Sequence, residues 1–231
     1  MENVKQEFTT RVAEINRYFV FLKQINDREV KISVGDISKN IENQLPPTLR
    51  ASAILLLYNL LEATTILAID EIHIHISTKT SLLYKDANDA FKKIWLEYKY
   101  NNFVEKSSKQ ILNDLQNIDN EQIIIYIETV DRSEYLKKIK GVTFSGKIDA
   151  QQVRSFATKY GFPENINNKG NSLLDIKNQR NALAHGETSF TKCGQDYGYQ
   201  RLTEMKDNAI SFLQEFLDNI ENYLIEEEYR K

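Results

Sequence analysis

The chain has 231 residues, of which 27% are charged and 41% hydrophobic, a balance that excludes a disordered polypeptide. Eight glycines and three prolines are too few for a turn-rich sheet protein, so long helices joined by few loops are expected. One cysteine, Cys193, excludes an internal disulfide framework, and a net charge of −3 excludes a globally basic nucleic-acid binder, leaving only a local patch for that role.

Taken in chain order, Phe8, Val12, Ile15, Phe19 and Leu22 recur at steps of three and four and predict an amphipathic first helix. Val30, Ile32 and Val34 alternate with polar residues before Gly35, which fits an extended segment or a short strand. Pro46-Pro47 reads as the end of that segment, with Thr48 as the cap of the next helix. That helix, about 49–76, is apolar on most of its circumference and is expected at the core. Asn59 and Glu62 within it argue for a buried bundle helix over a membrane span, because a charge near a bilayer centre costs about 2.5–3.5 kcal/mol. No secretory signal is visible in the first residues, and the chain reads as soluble and cytoplasmic.

Residues 82–100 carry Leu83, Ala87, Phe91, Ile94, Trp95 and Tyr98 at helical spacing, and Ile111, Leu112, Leu115 and Ile118 suggest another helix. The run Ile123 to Ile127 is ambiguous between strand and helix, and Val142 to Phe144 reads as a small extended turn. Asp149 caps a helix through Val153, Phe156 and Tyr160 that Gly161 and Pro163 close. Asn165 to Gly170 reads as a loop, and Ser172 opens a helix that Gly186 stops in a left-handed cap. Leu202, Met205, Ala209, Leu213, Phe216, Ile220, Tyr223 and Leu224 mark a long closing helix. No linker or repeat divides the chain, so the expectation is one all-α helical domain over residues 1–231 with small irregular insertions.

The chemistry concentrates in the stretch from Lys177 to Gly186. At about 100° per residue, Arg180 and His185 stand about 140° apart, with Lys177, Asn181 and Ala184 on the arc between them. This is a polar, basic face with a small residue at its floor. Asn181 lies four residues before His185, close enough to hold the imidazole in one tautomer. A permanent cation, a titratable base and an orienting amide suit phosphodiester chemistry. The same Arg180 and His185 also suit simple capping of a helix C-terminus. Glu62, with Tyr58 one turn earlier, needs a partner if buried: Arg180 or His185 in a site, or the tyrosine alone in a structural role. His73 and His75 would share a face only on a strand, and on the predicted helix they diverge by about 200°, so no metal is expected there. Glu226 to Glu228 reads as a solvated terminus. No glycine-rich phosphate loop, Walker lysine or nucleophile elbow is present, and no cofactor is expected.

Arg180-Asn181-Ala182-Leu183-Ala184-His185 is an R-x-x-x-x-H motif with a polar residue after the arginine, and it resembles that of the HEPN superfamily. The likeness extends through Arg50 to Ile54, Tyr58 to Ala63, Gly146 to Ala150, Lys159 to Phe162 and Lys177 to Phe190, in that order. It is similar to a MAE-type branch of stand-alone bacterial HEPN-like nucleases over most of the chain. The resemblance implies an all-α bundle that forms a two-fold dimer with facing motif helices. It further implies a metal-independent endoribonuclease of toxin–antitoxin or anti-phage settings, with RNA as substrate and an antitoxin or defence protein as a possible partner. The motif maps onto Arg180, Asn181 and His185 as catalytic residues, with Glu62, Lys177 and Tyr58 in support. In one subgroup a tyrosine two residues after the histidine receives AMP from the antitoxin; Glu187 stands there in this chain. The alternative is a non-catalytic RNA- or nucleotide-binding adaptor.

Overall fold

The computed structural model describes residues 1–26, 31–100, 115–123, 148–164, 166 and 170–231. Along the chain it places α1 (Glu2–Asn26), a hairpin of β1 (Lys31–Val34) and β2 (Ile37–Asn40), and α2 (Leu45–Ile74), which runs on into a π turn at His75–Lys79. Then follow α3 (Asp89–Tyr100), α4 (Ala150–Tyr160), α5 (Asn171–Ala184), the short α6 (Phe190–Asp196) and α7 (Tyr199–Ile225). The architecture is all-α, and the one small sheet among the described residues is the hairpin.

The core forms around α2, whose mean character is apolar on nearly every side. Ala51, Ala53, Ile54, Leu57, Leu60, Leu61, Ala68, Ile69 and Ile72 are all buried. Helices α1, α5, α6 and α7 each pack against it. The helix is long and apolar enough to cross a membrane, yet 56% of its most apolar window is buried inside the bundle. The first and closing helices follow their sequence stripes: Phe8, Ile15, Phe19 and Leu22 are buried on α1, and Leu202, Met205, Ala209, Leu213, Phe216, Ile220, Tyr223 and Leu224 on α7.

The start of α2 departs from the sequence expectation. Gln44 is the cap, and Pro46 and Pro47 lie inside the first turn, where a missing N–H is harmless. The Thr48 hydroxyl donates to the Gln44 carbonyl at 2.8 Å, so it serves the helix interior and caps nothing. The alternating residues around Ile32 form a true hairpin with Val34 opposite Ile37, turned at Gly35 with φ +58°.

Where residues 82–100 were expected to be helical throughout, α3 begins only at Asp89. Asn88 caps it by accepting from the Phe91 N–H at 2.8 Å. Ahead of it Tyr84–Asp86 forms a 3-10 turn. Of the expected helix around Ile111, Ile118–Asn120 is a 3-10 turn and Ile111 and Leu112 lie outside the described residues. So do Ile124 to Ile127, Val142 to Phe144 and most of the Asn165 to Gly170 loop.

Helix α4 is closed at both ends as the sequence predicts, and α5 at its C-terminal end. Asp149 accepts from the Gln152 N–H at 3.0 Å at the start of α4, and Gly161 ends that helix at φ +80°. Helix α5 opens at Gly170 and buries Leu173, Ile176 and Leu183 against the core. At its end Gly186 adopts φ +71°, its N–H bonds the Leu183 carbonyl, and the Glu187 N–H bonds that of Ala182. This pairing is the Schellman arrangement, with His185 as the C-cap residue.

Candidate nucleic-acid site

Arg180 and the middle of α2 meet across a groove of about 310 Å³. Tyr58, Asn59 and Glu62 come from α2, Arg180 and Ala184 from α5, and Phe190 from α6. The Arg180 guanidinium lies 4.7 Å from the centre of the Tyr58 ring, and its Nη1 donates to the Asn181 Oδ1 at 3.1 Å. Such stacking is worth about 0.5–2 kcal/mol, depending on how dry the pair is. Stacking and amide together fix the plane of a side chain that carries five donors, of which the protein consumes one among the described residues. The arginine is thus held in place with capacity left for an anion.

Tyr58 is buried and its hydroxyl donates to the Glu62 Oε1 at 3.2 Å while it accepts from the Ile148 N–H at 3.4 Å. Burial, then the Glu62 charge, pushes its phenol up to about 12, against the opposing pull of the Ile148 N–H and Arg180. Tyr58 therefore acts as a proton-bearing donor and a π surface, never as a base near neutrality. Glu62 sits in the same groove, and of the two partners weighed for it from sequence, the structure supplies the tyrosine.

The remaining sequence candidates fall out as follows. His185 is exposed at the C-cap, one residue beyond Ala184, and among the described residues its ring has no hydrogen-bond partner. The Asn181 amide oxygen engages Arg180, and its main-chain carbonyl accepts the His185 backbone N–H at 2.9 Å. Lys177 lies away from the groove and pairs with the Asp149 Oδ2 at 2.6 Å, strapping α5 to the start of α4. His73 is buried with its Nε2 2.7 Å from the Tyr160 hydroxyl, and the His75 ring packs edge-on to Tyr229. Among the described residues no group of three or more His, Cys, Asp or Glu is placed to hold a metal. Glu226, Glu227 and Glu228 are exposed, with Glu227 paired to Arg230.

Sequence reasoning missed Phe190 and the helix that carries it. Helix α6 has seven residues, too few to show a period, but Ser189 is a legible signal: its side chain accepts from the Lys192 N–H at 3.2 Å as an N-cap. The helix packs so closely on the start of α2 that a Cβ on Gly194 would stand 1.7 Å from the Pro47 carbonyl oxygen. That contact sets Phe190 at the rim of the groove.

The sequence matches the family model of MAE_28990-like HEPN over residues 1–229. No curated protein and no solved structure matches it. A match over nearly the whole length, on an all-α bundle with Arg180 held in a groove, marks a nuclease-like or RNA-related module. The chain belongs to the MAE_28990-like HEPN family.

Proposed function

We propose that this protein is a metal-independent endoribonuclease that acts as a homodimer, as a toxin or anti-phage effector in the cytoplasm. The observation that carries the reading is the Arg180 guanidinium, fixed by Tyr58 and Asn181 beside an open groove with donors to spare. Those donors suit a phosphodiester, first to hold it and then to stabilise the charge that grows on it as the bond rearranges. His185 removes the proton from the ribose 2′-hydroxyl, whose oxygen attacks the adjacent phosphorus. The P–O5′ bond breaks and the 5′-oxygen takes a proton from a second group, the His185 of the other subunit. The products are a 2′,3′-cyclic phosphate and a 5′-hydroxyl. DNA lacks the attacking group and is spared.

Incubating the full chain with total RNA in EDTA, followed by end-group analysis, tests the chemistry. Cyclic phosphate ends are expected with the chelator present. Loss of activity on chelation, restored by Mg²⁺ or Mn²⁺, would count against it. A second reading, an RNA- or nucleotide-binding adaptor, draws on the exposed position of His185 outside the groove walls. His185→Ala separates the two: RNA binding persists in both cases, while cleavage and growth inhibition of an expressing host vanish only for the enzyme. An antitoxin or defence protein encoded beside it is the expected regulator.

A further inference from the structure

A carboxylate is an odd neighbour for a phosphate-gripping arginine, and Glu62 lines the same groove as Arg180. Among the described residues its one hydrogen-bond partner is Tyr58, and no ion pair joins it to the guanidinium. A carboxylate has roughly four acceptor sites, so most of this one is open to donors from a ligand. Asn59, three residues earlier on the same face of α2, also lines the groove. Its Oδ1 accepts from the Arg11 Nη1 at 2.9 Å. Because arginine can only donate, that bond fixes which end of the amide is oxygen, and the Asn59 NH₂ is left as a donor. The groove therefore offers one donor beside two acceptors along a single stretch of helix. Phe190, 37% exposed, adds an aromatic face at the rim.

Single-stranded RNA is read by stacking on aromatic rings and by hydrogen bonds to base edges. The Watson–Crick edge of guanine runs acceptor, donor, donor: O6, N1–H and N2–H. Adenine, cytosine and uracil each lack two adjacent donors on that edge. Resting on the ribonuclease reading above, we propose that this groove is a guanine subsite. Glu62 accepts from N1–H and N2–H, Asn59 donates to O6, Phe190 stacks on the ring, and Arg180 takes the 3′-phosphate of the same nucleotide. A groove of about 310 Å³ is at the small end of the roughly 300–1,000 Å³ range of ligand sites, the size class for one nucleotide. The protein thereby cuts on the 3′ side of guanosine.

The test is calorimetric titration of the full chain with 3′-GMP, 3′-AMP, 3′-CMP, 3′-UMP and inosine 3′-monophosphate. Tighter binding of 3′-GMP than of the other three standard nucleotides by at least about tenfold is expected, since one net hydrogen bond is worth about that much. Inosine 3′-monophosphate, which lacks only the N2 amino group, falls between, and this comparison needs no variant. Glu62→Gln, which keeps shape and folding, lowers 3′-GMP to the level of the others, and Arg180→Ala weakens all five alike. Equal binding of the five by the wild type, or a guanine preference that Glu62→Gln leaves intact, overturns the subsite while the arginine site stands. Absence of binding by all five together with absence of RNA cleavage overturns both.

Discussion

Asp149 shows how one side chain serves two neighbours. It caps α4 through the Gln152 N–H and holds Lys177 of α5 at 2.6 Å. Burial pushes its carboxyl up, but the Lys177 hydrogen bond, the Gln152 N–H and the Lys177 charge outweigh that push and hold it below its ordinary value. A carboxyl depressed by folding stabilises the protein above its unfolded value near 3.9, and that stabilisation fades as pH falls through the folded value. Asparagine caps a helix as well as aspartate does, so Asp149→Asn removes the charge and spares the cap. Melting followed from pH 7 down to about pH 3 should show the wild type losing its advantage over Asp149→Asn as the carboxyl protonates. At neutral pH the difference should be about 1 kcal/mol or less, the scale of a partly exposed ion pair. A constant gap between the two proteins at every pH would mean that the Lys177 pairing contributes nothing. The same pairing explains why Lys177, on the polar arc by helical geometry, lies outside the groove: a nearer carboxylate claims it.

At the scale of elements, the two glycines around the site test whether packing or backbone conformation shapes it. Gly194 sits where a methyl group would strike main-chain atoms of Pro47, which cannot swing aside. Gly194→Ala should cost about 3 kcal/mol, the upper range for overpacking. It should also displace Phe190 from the groove. Gly186 has φ +71° and nothing within 4 Å of a new Cβ, so Gly186→Ala should cost only the left-handed strain of about 1–2 kcal/mol. Thermal and urea unfolding rank the pair, and a milder effect at Gly194 than at Gly186 would refute the close approach of α6 to α2.

This contrast also shows what the sequence could tell. Helices with a long stripe, α1 and α7, and those with a clear stop signal, α4 at Gly161 and α5 at Gly186, are legible because local rules and core contacts agree on them. Helix α6 was not, because its seven residues gain their order from contact with α2, a segment far away in the chain. The start of α2 was misplaced because paired prolines read as a break, although the first turn of a helix accepts them. In the site, Arg180 and Asn181 were visible from the motif, and Glu62 with Tyr58 from polar residues in an apolar helix. The stacking of Arg180 on Tyr58, the Asn181 amide turned to the arginine, and Phe190 at the rim all depend on how α2, α5 and α6 pack. Spacing alone carries no record of that.

At the scale of the whole molecule, one chain offers an incomplete set of groups for the ribonuclease chemistry proposed above. Arg180 stands in the groove, while His185 is exposed at the C-cap with no partner for its ring among the described residues. A two-fold axis near the end of α5 would gather two of each into one cleft, so that in the proposed dimer a second copy would supply what the first lacks. In the proposed dimer the two Arg180 guanidinium groups would repel until an anion enters between them, so apolar contacts outside the cleft would have to hold it together. RNA affinity should then fall as salt rises, in proportion to the phosphates neutralised, despite a net charge of −3 on each chain. Mixing inactive Arg180→Ala chains with inactive His185→Ala chains is the decisive arrangement. Heterodimers keep one intact arginine and one intact histidine. Partial return of RNA cleavage is expected if the site draws on both subunits and tolerates one missing group of each kind, with water taking the place of the second histidine. Heterodimers shown to form yet wholly inactive would rule out that division of labour, and an active protein that stays monomeric at every concentration would remove the shared cleft altogether.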